Sequence, residues 1–281
     1  MTSANKTKPV KKVVILTAGL GTRFLPMTKA IPKAMLPIFN KPVIQYLVEE
    51  AASSGIREII IVAGFGKRVI EEHFDRNYEL EYELKSRKKS NLIAPLEKLL
   101  KRVKIVYIHQ KNALGDGHAI LCAEHILKNE AFAVLFGDDI IDSKTPALKQ
   151  LLTAYKKTCT PVICVEKVAK KDLSSYGVVG VKSQNGRLIE VNALVEKPSI
   201  NKAPSNFGII GKYVCTPEVL TALKSCKPGK DKEKRLIDGL NQLLKKQRVY
   251  ALEIEGRRFD TGTPMGLFEA NLAFSKKFTH N

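Results

Sequence analysis

Residues 18–33 read A-G-L-G-T-R-F-L-P-M-T-K-A-I-P-K and follow the apolar run Val13-Val14-Ile15-Leu16. The run predicts a buried first strand. Gly19 and Gly21 then let the backbone turn sharply and approach a ligand with no Cβ in the way. Arg23, Lys29 and Lys33 follow at once. A turn of bare backbone N–H groups beside three cations suits a polyphosphate. The loop is not the G-x-G-x-x-G dinucleotide fingerprint, because Phe24 stands where its last glycine belongs. Nor is it a Walker A loop, since no Gly-Lys-Ser/Thr closes it. A plain strand-to-helix turn with solvated lysines would use the same glycines, so the downstream segments decide between the two.

Working outward, strands and helices alternate. Arg57–Ala63, Val103–His109 and Ala131–Phe136 are predicted strands. A helix is predicted from Pro42 to about Gly55, with proline at its start and glycine at its end. This rhythm predicts an α/β fold: a Rossmann-like mixed, mostly parallel sheet flanked by helices. Ligands on such sheets sit at the carboxyl ends of strands, where both the glycine loop and Asp138 fall. Residues 74–102 read as two charged helices, Glu79–Lys89 and Leu92–Arg102, in an exposed insertion. After residue 160 shorter strands are predicted at Pro161–Val168, Gly177–Val181, Leu188–Val195, Phe207–Val214 and Val249–Ile254. Helices are expected near Pro217–Lys224, Lys232–Lys246 and Pro264–Lys277. The expected organisation is a basic tail, 1–11, and a single domain over 12–278. Its nucleotide half spans about 12–145 and its sugar-binding half about 146–278.

Composition narrows the class. A chain of 281 residues with 44% hydrophobic residues supports a substantial core. No stretch is long enough for a transmembrane helix. The basic N-terminus leads into an apolar run too short for a secretory signal. Five cysteines, an odd number with no C-x-x-C pair, indicate reduced thiols and a cytoplasmic location rather than disulfides or zinc. The formal charge of +19 permits nucleic-acid binding. The excess is spread out, however, and the chain has no tryptophan and no RRM, KH or helix-turn-helix pattern. An enzyme with anionic small-molecule substrates is the favoured reading.

Four further segments carry chemistry, and each has a plain alternative. Gln110 with A-L-G-D-G-H-A at 113–119 suits a nucleobase or an ordinary helix start. Gly137-Asp138-Asp139 after a buried strand suits a magnesium ligand or a polar turn. V-E-K-P at 195–198 suits sugar hydroxyls and a phosphate, or a surface ion pair. F-D-T-G-T-P at 259–264 suits a second metal ligand or a helix N-cap.

In that order the segments resemble the sugar-phosphate nucleotidyltransferases over about residues 11–275. T-K-A-I-P-K-A-M-L-P at 28–37, K-P-V-I-Q-Y at 41–46, G-D-G-H-A, Y-G-V-V at 176–179 and A-P-S-N at 203–206 are similar to the bacterial UTP–glucose-1-phosphate uridylyltransferases within that superfamily. The resemblance implies a nucleotide-diphospho-sugar transferase fold. It also implies in-line attack of glucose 1-phosphate on the α-phosphorus of UTP, giving UDP-glucose and pyrophosphate, with Mg²⁺ as cofactor. By the same resemblance Ala18, Gly19, Gly21, Thr22 and Arg23 would cradle the triphosphate, and Gln110 and Gly115 the uracil. Lys33 would contact phosphate near the reacting centre, and Asp138 and Asp260 would hold Mg²⁺. Gly177, Glu196, Asn206 and Gly208 would place the glucose, and Lys197 its phosphate. Arg23, Lys33 and Lys197 are thus the expected catalytic cations. The expected partners are these two small molecules and further copies of the chain, as a dimer or tetramer. No membrane is expected among them, and nucleic acid is disfavoured.

The charge balance fits this division of labour. Two anions are brought together, and a unit-charge pair at 4 Å costs about 4 kcal/mol at an effective dielectric near 20. Several such repulsions call for a divalent ion and three cations. A sugar phosphate is already ionised, so no general base is required, and His118 is expected only to cap or pack near the base. The chain departs from the family pattern at Ala34, where a glutamate is common, and at Arg235 and Ile237, where Gln and Thr are common.

Overall fold

The computed structural model describes residues 9–64, 66, 68–229 and 231–278; most of the expected basic tail lies outside these residues. The apolar run after it is strand β1 (Lys12–Thr17), buried throughout. A small ribbon, β2 (Pro37–Ile38) with β3 (Lys41–Pro42), leads into helix α1 (Val43–Ser53). Strand β4 (Glu58–Ala63) is followed by three surface helices, α2 (Arg68–Phe74), α3 (Tyr78–Ser86) and α4 (Ala94–Leu100). The expected insertion is therefore helical, and α3 buries none of its residues. Strand β5 (Lys104–His109), helices α5 (Asp116–Cys122) and α6 (Glu124–Leu127), and strand β6 (Phe132–Phe136) complete the first half.

Next come a short strand for which no expectation was made, β7 (Asp139–Asp142), and helix α7 (Ala147–Thr158). Strands β8 (Val162–Lys167), β9 (Gly177–Asn185), β10 (Leu188–Glu196) and β11 (Phe207–Cys215) follow. Helices α8 (Glu218–Ser225) and α9 (Leu236–Leu244), strands β12 (Tyr250–Glu253) and β13 (Arg257–Asp260), and helix α10 (Pro264–Phe278) end the described chain.

Nine strands form one sheet in the order β5-β4-β1-β6-β11-β8-β12-β10-β9. The first four are parallel, with Ile15 level with Ile61 on one side and Leu135 on the other. Beyond β6 the pairing turns antiparallel at β11, and only β8 with β12 is parallel again. The sheet is thus mixed rather than mostly parallel. The sequence cue failed because buried strands read as continuous apolar runs in either direction. Strand β9 also returns to β11, pairing Val178 with Gly208.

Alternation along β1 builds the two core layers. Val13 and Ile15 join the layer under α1, α7 and α10, while Val14 and Leu16 join the layer under α5, α8 and α9. An ion pair is sunk into the first layer. Lys212 of β11 is wholly buried and its Nζ lies 2.8 Å from Glu50 Oε2, whose other oxygen accepts the Leu148 N–H at 2.9 Å. The pair ties β11, α1 and the start of α7 together. Lys212→Met leaves the Glu50 carboxylate without its counter-charge, so a loss of about 3–5 kcal/mol is expected. Urea unfolding of the variant measures it.

Strands β1 and β6 are parallel neighbours, although β4 and β5 lie on the far side of β1. The sheet reverses its winding between them, which opens a crevice at their carboxyl ends. The glycine loop leaves β1 there and Asp138 leaves β6. Gly137 donates its N–H to Leu16 O at 3.0 Å, and a Cβ on it would fall 2.6 Å from that oxygen. Only glycine keeps the two strand ends this close.

Candidate active site

The crevice continues into a cleft of about 650 Å³. Its nucleotide side is the glycine loop. Gly21 sits at φ +70° and accepts the Thr28 hydroxyl proton at its carbonyl, 2.7 Å away. Phe24, the residue that broke the dinucleotide fingerprint, is buried and anchors the loop to the core. Gly19, Gly21, Thr22, Arg23 and Lys33 all line the cleft. Lys29 does not: it is exposed and outside the lining, so of the loop's three cations Arg23 and Lys33 face the cleft.

The two aspartates meet. The β13–β7 ribbon sets Asp260 level with Asp139, beside Asp138. A Cβ on Gly262 would fall 2.6 Å from Asp138 Oδ2 and 3.0 Å from Asp260 Oδ1, so both carboxylates border the same small space. Asp260 accepts the Gly262 N–H at 3.0 Å. The N-cap alternative, an Asp or a Thr of this segment, is met by the threonine, since Thr263 Oγ1 accepts the Gly266 N–H at 3.1 Å. Asp260 is thereby left to the cleft. Lys33 Nζ pairs with Asp138 Oδ2, joining the loop to the carboxylates.

On the opposite wall stand Gly177, Glu196 and Lys197, on the edges of β9 and β10. Gly177 is required here, because a Cβ would press on Glu196 Oε2, Ile209 and Ile237 at 3.1–3.2 Å. Lys197 holds φ +44°, an unusual conformation for a residue with a side chain, and donates its N–H to Tyr176 O at 3.0 Å. Its ammonium is largely exposed, 3.8 Å from Glu196.

Other sequence candidates stand outside the lining. Ala18 precedes the loop, and Gln110, which is buried, and Gly115 are not among the lining residues. Asn206 is exposed, and its carbonyl accepts the Val168 N–H. Gly208 makes room for the Tyr176 ring, 3.1 Å from where its Cβ would be. The glycines at 115 and 117 serve a close approach within the protein itself. A Cβ on either would clash with Lys234 O, at 2.5 and 2.9 Å, so the protein's own backbone occupies that space.

The cleft contains residues that the motifs did not mark. Arg258, two residues before Asp260 on the same face of β13, donates to Asp139 Oδ1 at 2.5 Å, Glu166 Oε1 at 3.0 Å and the Tyr176 hydroxyl at 2.9 Å. Burial opposes its charge, but Asp139, Tyr176 and Glu166 outweigh that and hold the guanidinium well above its ordinary value. Asp139 also accepts the Gly211 N–H at 2.9 Å. The network braces the β7–β13 ribbon against β8 and Tyr176. The period-2 spacing from Asp260 was the only sequence signal for it. Of the departures from the family pattern, Ala34 is buried in the core, Ile237 lines the cleft, and Arg235 lines it while paired to Asp231 and Glu233.

Asp116 also lines the cleft and accepts the Leu236 N–H at 2.6 Å. Burial, with Glu196 nearby, pushes its carboxyl from the ordinary 3.8 up to about 6, against the pull of the Leu236 bond. A raised carboxyl value favours the folded state while protonated. That contribution is complete below the unfolded value and lost as pH rises through about 6. Asp116→Asn keeps an oxygen for Leu236 and removes the charge. Partial exposure to water reduces the effect, so the variant is expected to gain on the order of 1 kcal/mol at pH 8. The gain vanishes near pH 4, and unfolding curves across that range measure it.

A mixed α/β sheet whose switch-point crevice joins a glycine loop to paired aspartates is the architecture of a nucleotidyl-transferring enzyme. The chain matches the nucleotidyl transferase family over residues 12–277 and belongs to it. It is 47% identical over 264 residues to a UTP–glucose-1-phosphate uridylyltransferase of Bacillus subtilis, covering 94% of this chain and 89% of that one. A solved apo UDP-glucose pyrophosphorylase superimposes with a TM-score of 0.91 at 40% identity, over 95% of this chain and 99% of its own. A UDP-glucose pyrophosphorylase complexed with UDP-glucose gives 0.88 at 39% identity, with the same coverage. Among the described residues no helix is long and apolar enough to cross a membrane.

Proposed function

We propose that the chain transfers the uridylyl group of UTP to glucose 1-phosphate, releasing pyrophosphate. The observation that carries the reading is the pair Asp138 and Asp260 bordering one space at Gly262, between a phosphate-type glycine loop and Glu196-Lys197. The names of the relatives support the choice of UTP and glucose 1-phosphate.

The paired carboxylates fit a magnesium ion. Among the described residues no three His, Cys, Asp or Glu converge, and Mg²⁺ is characteristically held by one or two carboxylates with phosphate oxygens and water completing the set. Asp138 and Asp260 would hold it, and when bound it supplies charge neutralisation at the phosphates. The chain's own residues do the rest. The N–H groups of the glycine loop and Arg23 orient the triphosphate. Lys33, released from Asp138, follows the phosphate charge. Lys197 and Glu196 fix the sugar phosphate for in-line approach. The attacking oxygen is already ionised, so positioning and charge suffice.

Purified protein with Mg²⁺, UTP and glucose 1-phosphate is expected to release pyrophosphate, and more slowly when dTTP or galactose 1-phosphate is substituted. Tight UDP-glucose binding without any release would instead make the chain a nucleotide-sugar binding protein.

A further inference from the structure

The three partners of Arg258 stand on three different parts of the chain. Nε donates to Asp139 Oδ1 on β7, and Nη1 donates both to Glu166 Oε1 on β8 and to the Tyr176 hydroxyl oxygen just before β9. The guanidinium also lies over the Tyr176 ring, 5.3 Å from its centroid. A planar fork of five N–H groups can span such a set, whereas an ammonium is a single point of charge. One end of this bridge is the aspartate ribbon. Asp139 is level with Asp260, and its other oxygen accepts the Gly211 N–H at 2.9 Å, which fixes that end to β11.

The other end is Tyr176, whose main chain carries the opposite wall. Its N–H donates to Leu173 O at 3.1 Å, and its carbonyl accepts the Lys197 N–H at 3.0 Å. The ring is seated over Gly208, which has no Cβ to displace it. Lys197 holds φ +44°, a conformation that persists only where the surroundings over-determine it. Two hydrogen bonds thus lead from Arg258 to the Lys197 peptide, guanidinium to phenol and then carbonyl to N–H. They join the ribbon that carries Asp260 to the wall that carries Lys197, and both Arg258 and Tyr176 line the cleft. The glycine loop leaves β1 outside this chain of bonds, so a nucleotide without a sugar does not depend on it.

We propose that Arg258, acting through the Tyr176 hydroxyl, is a positioning residue: it holds the Lys197 peptide at a set distance from the aspartate pair, so that the lysine meets a sugar phosphate in line with the nucleotide. The inference rests on the uridylyl-transfer reading above and adds to it the link that aligns the two walls.

The test uses the full chain as wild type, Tyr176→Phe, Arg258→Lys, the double variant of these two, and Tyr176→Phe combined with Lys197→Ala. Phenylalanine keeps the ring over Gly208 and both main-chain bonds, and it leaves Arg258 its two carboxylates. Tyr176→Phe is expected to raise KM for glucose 1-phosphate about tenfold, as for one hydrogen bond to a charged group, with KM for UTP within about twofold. Calorimetry should show the same split without turnover, with Kd for UDP-glucose about tenfold weaker and Kd for UTP within about twofold. Lysine still faces Asp139 but cannot hold the phenol as well, so Arg258→Lys should raise the glucose 1-phosphate and UDP-glucose constants by a similar factor. The double variant should be no worse than either single one, and Tyr176→Phe should add less than about twofold to the loss caused by Lys197→Ala. A lowered thermal midpoint in Tyr176→Phe with unchanged constants makes the bond merely structural and overturns the inference. So does Arg258→Lys with wild-type constants, which would make the phenol a direct substrate contact, and so does a full tenfold loss on top of Lys197→Ala. A wild type that binds UDP-glucose but releases no pyrophosphate overturns the uridylyl-transfer reading alone, and the Kd comparison still decides this inference. A wild type that neither binds UDP-glucose nor releases pyrophosphate overturns both.

Discussion

Asp260→Asn is expected to lower turnover at limiting magnesium about 10³-fold while the protein stays folded. The structural bonds at this residue survive the change. Asparagine retains an oxygen for the Gly262 N–H, and the neighbouring helix is capped by Thr263, not by the aspartate. What disappears is one of the two negative charges that border the space at Gly262. A unit-charge interaction at 4 Å is worth about 4 kcal/mol at an effective dielectric near 20, and 4 kcal/mol corresponds to about three orders of magnitude in rate. Asp138 does not substitute for it, because on the proposed reading its own carboxylate is already committed to the same ion. Pyrophosphate release measured across a magnesium titration checks the prediction, with the thermal midpoint as the control for folding. Wild-type rates at limiting magnesium would remove Asp260 from the metal site.

The Lys33–Asp138 pair gives this site a way to hold its charges before any ligand arrives. Two half-buried opposite charges satisfy one another, so neither side chain has to be desolvated alone. When phosphates and a cation enter, each partner trades the other for a ligand of the same sign. On the proposed reading the carboxylate would turn from the ammonium to the metal, and the ammonium from the carboxylate to a phosphate. This exchange limits the reorganisation needed on binding, which is the physical content of a preorganised site.

Much of this was legible in the sequence, and the failures have identifiable causes. The apolar runs located β1, β4, β5 and β6, since buried strands advertise themselves by composition. Their direction was not legible beyond β6, because hydrophobicity carries no polarity; the antiparallel turn at β11 had to be seen. The β7–β13 ribbon was hidden by its brevity and by the aspartates at its ends, which read as turn residues. The glycine loop was read correctly in its position, but Lys29 shows that nearness in sequence does not decide which side of a 3₁₀ turn a side chain leaves from. Gly115 was expected to meet the uracil, with a helix start as the alternative; what the structure adds is that a Cβ on it or on Gly117 would strike the backbone at Lys234. Arg258 escaped notice because a lone arginine signals nothing until the four elements it braces are assembled around it.

Lys197→Ala is expected to lower kcat/KM for glucose 1-phosphate about 10²-fold, mostly through KM, with KM for UTP within about twofold of wild type. The asymmetry follows from where the residue stands. Lys197 lies on the wall opposite the glycine loop, joined to Tyr176 through its N–H rather than its ammonium. Truncating the side chain therefore leaves the backbone bond intact. The ammonium is exposed and 3.8 Å from Glu196, too loosely paired for its loss to strand a buried charge. What remains to lose is a charge-assisted bond to the incoming phosphate, worth about 1.5–3 kcal/mol or one to two decades. Holding φ at +44° makes the lysine itself a costly choice at this position, and a residue kept there against that cost points to a role for its side chain. Lys197→Gly separates the two contributions, since it relieves the backbone while removing the ammonium. It should be more stable than Lys197→Ala and equally poor with glucose 1-phosphate. Initial rates over both substrates settle the assignment: equal losses on UTP and glucose 1-phosphate, or none on either, would take the sugar phosphate away from Lys197.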